Sequence, residues 1–241
     1  MPNPAESNDE TIFFQYRFRL KSGEETQFRV VLDGGTLNLR RAEEEAPPPS
    51  WTELAFCTCP HCPLDPARHR HCPIAVSLAG IVCAFGKAAS YEEVDVVLDT
   101  AERRYEKHTT LQKGLSSLVG IYMVTSGCPV MEWLKPMVRF HLPFATEEET
   151  KYRVLSMYLL AQFFLRRRGE RPDWDMAGLV GIYENVRLVN RGIADRLSKI
   201  EIDDANVNAL LILDCFAGAV TFSLCRERLA DLESLFGAYF T

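Results

Sequence analysis

One stretch limits the folds open to this chain more than any other: the run from Phe56 to Pro73. It holds Cys57, Cys59, Cys62 and Cys72 together with His61, His69 and His71, so four cysteines and three of the five histidines fall within eighteen residues. So little apolar content cannot hold a loop by burial, whereas clustered soft ligands can hold one through a metal ion. The spacing is Cys57-x-Cys59-x2-Cys62-x9-Cys72. Three thiolates close in sequence can converge from one tight loop, and the fourth returns after a short excursion. Four sulfurs at about 2.3 Å complete a closed tetrahedral zinc site. Cys57, Cys59, Cys62 and Cys72 are therefore the expected ligands, in a structural site with no vacant position. His61, His69 and His71 are substitute ligands, although His71 adjoins Cys72 and the two are not expected to share an ion.

Proline complicates the choice of metal. Cys59, Cys62, Cys72 and Cys128 are each followed by proline, half of the eight cysteines. Cys-Pro occurs at the last ligand of many ferredoxin-type iron–sulfur clusters. It also stiffens a zinc turn by removing a backbone donor. Zinc is the first expectation and an iron–sulfur cluster the alternative. A Cys-Pro thiolate can also hold haem, but the Cys-x2-Cys-His attachment signature is missing because Pro63 follows Cys62.

With 241 residues, a net charge of -6 and a pI near 5.5, the chain can bury a sizeable core and carries no broad cationic surface. Nucleic acid and anionic membrane are thus not expected partners. The polar, acidic residues 1–10 do not resemble a signal peptide, and clustered cysteines without one place the chain in the cytoplasm. Residues 207–225 are nearly all apolar, but Asn208 and Asp214 interrupt them, so a buried helix is expected rather than a membrane span.

Around the cysteine segment the chain divides. Ile12, Phe14, Tyr16, Phe18 and Leu20 alternate with polar residues, as a half-buried strand requires. Ser22-Gly23 turns the chain, and Phe28, Val30 and Leu32 alternate again. After Asp33-Gly34-Gly35, Leu37 and Leu39 mark a short third strand. Residues 11–41 thus form an antiparallel meander, and alternation over 93–105 predicts a further strand that completes it. Glu43 to Ser50 carries three prolines and is a stiff linker to the metal loop at 51–73. Residues 74–241 are mainly helical. Pro73 opens a short apolar helix, Thr146-x2-Glu149 is a capping box, and Arg166-Arg167-Arg168-Gly169 suits a helix end. Asp173 and Asp203 or Asp204 are further caps, with a break near Gly218. The fold class is α+β: a small antiparallel sheet, a metal loop and a helical bundle.

A second candidate site lies at 126–144. Pro129 predicts a new helix, which would put Cys128 at a helix N-terminus, where backbone N–H groups favour a thiolate. His141 follows nearby, so Cys128 and His141 are weak candidates for a catalytic pair, set against a buried thiol and a satisfied histidine. Cys128 is also conceivable as a metal ligand contributed from afar. Asn190 and Asp214 sit among apolar residues, where they either line a pocket or tie helices together. The segment Cys57 to Cys72, with the Ser126-Gly127-Cys128-Pro129 run, is similar to bacterial proteins grouped as a family of unknown function, a resemblance that implies no activity. The expected function is a zinc-binding protein with a structural metal, whose helical part binds a ligand or protein partner, as monomer or homo-oligomer. The alternative is an iron–sulfur or thiol-based redox enzyme or sensor.

Overall fold

A computed structural model of the chain describes residues 11–40, 47–225 and 229–240. It is α+β, with a four-stranded antiparallel sheet and, among the described residues, seven α-helices. Strands β1 (Thr11–Leu20) and β2 (Glu25–Asp33) form the expected hairpin, with Phe14 opposite Val30 and Tyr16 opposite Phe28. Gly23 makes the turn at φ +88°, a region glycine enters without penalty. Phe14, Tyr16 and Phe18 are buried on one face and their polar neighbours stand on the other, as period two demands.

The third strand expected at Leu37 to Leu39 does not form and shrinks to a single bridge between Leu32 and Leu39. Asp33 explains this. Its carboxylate accepts from the Thr36 N–H and hydroxyl and from Arg40, which curls the chain back on itself. The Leu39 N–H is then spent on the Thr125 carbonyl rather than on the sheet. The strand expected over 93–105 is two strands, β3 (Glu93–Asp99) and β4 (Arg104–Thr110), joined by a turn that the Thr100 hydroxyl closes. The sheet order is β2-β1-β3-β4, so the chain leaves after β2, makes a helix, and returns to pair β3 with β1. The region beyond residue 74 is therefore not purely helical. Sheet and helices share one core.

Helix α1 (Pro73–Phe85) starts at its proline as expected, and Phe85 meets Phe18 edge-on at 5.4 Å between ring centres. Helix α2 (Leu111–Thr125) lies beside it on the same sheet face. The approach is close at Gly114, where a Cβ would come within 2.8 Å of Val96 and 3.2 Å of Phe18. Gly127, at φ +92°, follows the end of α2. The helix expected from Pro129 is instead a turn, since the Met131 N–H bonds the Cys128 carbonyl, and the next helix, α3 (Lys135–Arg139), starts later. Helix α4 (Glu147–Arg167) has the full capping box, Thr146 and Glu149 bonding each other's backbone. It ends with Gly169 at φ +83° and a Glu170 to Leu165 bond, which closes its last turn.

Helices α5 (Ala177–Leu197) and α6 (Ala205–Cys225) pack as a hairpin, with α6 also against α2, and α7 (Ala230–Glu233) follows. Asp173 accepts from the Ala177 and Gly178 N–H groups at the start of α5. Asp204 binds Ser90 through both its N–H and its hydroxyl, anchoring the start of α6. No break occurs at Gly218. Helix α6 is less enclosed than expected, with Leu211 and Phe222 exposed. By length and composition alone it is the one helix among the described residues able to cross a membrane. Its Asp214 ties it to α5 through Arg187 and Arg191, each at 3.3 Å.

Candidate functional site

The cysteine loop is held by a residue outside it. Arg196, in the last turn of α5, is 1% exposed and donates to the carbonyls of Trp51, Glu53, Leu54 and Cys57. Four backbone oxygens around one guanidinium compensate its burial, and they wrap the loop over the end of α5. Two neighbours on the same stripe complete the seat. At Gly192 a Cβ would lie 2.6 Å from the Cys59 sulfur, so only glycine lets the loop settle there. Lys199 donates to the Cys57 sulfur at 3.4 Å. Gly192, Arg196 and Lys199 follow at i, i+4 and i+7, the spacing of one helix face. That spacing was the available signal, but nothing local says that a glycine and two cations face a loop far earlier in the chain.

The thiols divide unequally. Cys59 is pushed up to about 12, first by burial and then by the like charges of Cys72, Cys62 and Cys128, with Arg196 opposing. Cys72 is raised by burial, while N–H groups of Ala75 and Ile74 bond its sulfur and act the other way. Cys128 is also raised by burial, and its sulfur takes N–H groups from Val130 and Met131. Cys59, Cys62, Cys72 and Cys128 thus lie within range of one another's charge, drawn from the loop, the start of α1 and the α2–α3 connection. They are the four cysteines followed by proline. Cys57, expected among the ligands, has its sulfur engaged by Lys199 and its carbonyl by Arg196. As the side chains stand, no three His, Cys, Asp or Glu groups among the described residues form a ready coordination shell. The thiols feel one another's charge without meeting at a point.

The histidines separate as well. The Thr52 hydroxyl ties His71 at Nδ1, 2.8 Å away, and His69 is exposed. Both ring nitrogens of His61 are shielded from solvent and have no hydrogen-bond partner. Shielded imidazole nitrogens left without partners are costly and ask for a ligand, an ion or a water.

Cys128 and His141 sit in different surroundings. His141 Nε2 is 2.8 Å from the Tyr16 hydroxyl and 3.3 Å from Ser117, and Tyr16 bonds Ser117 at 2.8 Å. Burial lowers His141 to about 3, so the ring is neutral. Tyr16, fully buried, is raised by the same desolvation. Cys128 is buried and raised, which is the reverse of the exposed, acidified thiol a nucleophile needs. The Tyr16–Ser117–His141 triangle latches β1, α2 and the segment after α3 together.

His141 and Ser117 also border a cavity of about 630 Å³ between α2, α3, α5 and α6. Its far wall includes Asn190 and Tyr183, so Asn190 lines a pocket while Asp214 ties helices. The fold and site define an α+β protein with four thiols within range of one another's charge and a cavity between its helices. The chain belongs to a family described as a domain of unknown function (DUF6901), which matches residues 14–237. No curated protein and no solved structure matches it.

Proposed function

We propose that this is a cytoplasmic metal-binding protein, with a structural metal, zinc in the first instance, and a helical half that receives a ligand in the cavity. The observation that carries the metal reading is the gathering of four thiols from three separate segments, with backbone N–H groups already bonded to the sulfurs of Cys72 and Cys128. The proposed ligands are Cys59, Cys62, Cys72 and Cys128, so that Cys128 takes the place expected of Cys57. Four thiolates suit a closed tetrahedral ion, which stabilises a segment with little apolar content. The orphaned nitrogens of His61 and the Arg196 charge beside the thiols fit an ion that draws thiolates together. An iron–sulfur cluster is the second reading, favoured by one observation: every proposed ligand precedes a proline.

Elemental analysis and a visible spectrum of anaerobically purified protein test this. About one zinc per chain in a colourless protein is expected. Brown protein carrying iron and sulfide would select the cluster. Cys59→Ser, Cys62→Ser, Cys72→Ser and Cys128→Ser should each lose the metal, and Cys57→Ser should keep it. Metal lost from Cys57→Ser but retained by Cys128→Ser would return the site to the loop alone; protein without metal would end the reading.

A further inference from the structure

The cavity is graded along α2. Its wall runs from Gln112 to Val124, about 18 Å at 1.5 Å per residue. The first part is polar, with Gln112, Lys113, Ser116 and Ser117. The second part is apolar, with Ile121, Met123 and Val124 facing Met131 and Met137. Methionines are unbranched and polarisable, so such a wall adapts to a flexible chain rather than to one rigid shape.

The charge in the wall has one sign. Lys107, Lys113 and Arg153 line the cavity, and among the described residues no aspartate or glutamate does. Lys107 sits over the Phe144 ring at 5.8 Å. Arg153 uses Nη2 on the carbonyls of Met137 and Phe140, at 2.9 and 2.8 Å, which fixes its guanidinium at the cavity edge. Glu149 is the carboxylate within range of Lys107 and Arg153. It stands outside the wall and is occupied in the capping box with Thr146. Two exposed lysines and the part-buried, desolvated Arg153 at the rim of an apolar cavity favour a ligand whose single negative head meets them while its tail displaces water from the cavity.

We infer that the cavity binds a single-chain amphiphile with an anionic head, a carboxylate or a phosphate monoester, held by Lys107, Lys113 and Arg153 with its hydrocarbon tail along α2. This deepens the proposed reading that the helical half receives a ligand, and it does not depend on the metal.

Isothermal titration with hexadecanoate, hexadecyl phosphate and hexadecanol, each below its aggregation concentration, tests it. One site per chain is expected for the anions, with hexadecanol weaker by about tenfold or more. The tighter of the two anions identifies the head group. Lys107→Gln with Lys113→Gln, both at exposed positions, should weaken the anions about tenfold and leave hexadecanol unchanged. Gly120→Leu should block all three, since a side chain there enters the cavity and its Cβ meets only Leu213, at an ordinary 3.7 Å. Equal binding of hexadecanol and hexadecanoate would overturn the anionic class but keep the ligand reading. Binding of none of the three would overturn both.

Discussion

At the scale of single residues, the buried polar groups carry the specificity. Arg196 supplies four backbone carbonyls with donors, and replacing it would leave the loop's oxygens without partners at the end of α5. His141 allows a sharper expectation. Its folded value is depressed to about 3, against about 6.5 in an unfolded chain. The unfolded state therefore binds the extra proton below pH 6.5, so stability is full above that pH and falls as the solution is acidified. The residue is only half-buried, so the slope will fall short of the ~1.4 kcal/mol per pH unit of a whole proton. Urea denaturation between pH 6.5 and 4.5, above the range of ordinary carboxylates, should show this decline. His141→Gln should flatten it; an unchanged slope in that variant would mean another group is titrating.

At the scale of elements, end signals decide where helices stop and start. Helix α4 carries acidic residues at its start, basic residues at its end and both kinds of cap. Thr146→Ala removes half of the capping box and should cost about 1 kcal/mol, measured by denaturation. Because Thr146 and the adjoining Ala145 border the cavity, the same variant should loosen the first turn of α4 and raise its amide exchange. Protection unchanged in that turn would show that packing, not capping, holds it. These signals were legible in sequence because each acts within four residues. The α2–α3 connection was not. Pro129 suits a helix start, and the Cys128 sulfur takes the Val130 and Met131 N–H groups as a cap would, yet the Met131 N–H also bonds the Cys128 carbonyl in a single turn and the helix begins only at Lys135.

At the scale of the whole molecule, the apolar core and the loop of the proposed metal site differ in how they are held. The sheet, α1, α2, α5 and α6 share an apolar core that needs no metal. The segment from Trp51 to Cys72 contributes little to it beyond Leu54 and Cys72. Chelation should therefore open the molecule locally before it melts globally, as weakly packed units do. Hydrogen exchange after chelation should rise over 51–72 and 126–131 while β1 and β3 stay protected. Uniform exchange, or none, would separate metal from loop stability. Cys128→Ser should reproduce the chelated pattern, because it removes the proposed ligand of the connection rather than one of the loop.

The sequence by itself determined the β1–β2 hairpin, the proline start of α1, the capping box of α4 and the α+β class, since each follows from the two dihedrals and the side chain of near neighbours. Alternation marked β1 and β2 without marking which strand would lie between them and the edge, because pairing is a contact between distant segments. Only the tertiary structure decided that Cys128 stands with Cys59, Cys62 and Cys72, that Arg196 and Gly192 seat their loop, and that α2 presents a graded wall to a cavity. Those choices depend on where separate segments come to rest when one core is buried, a condition on the chain as a whole that no local spacing contains.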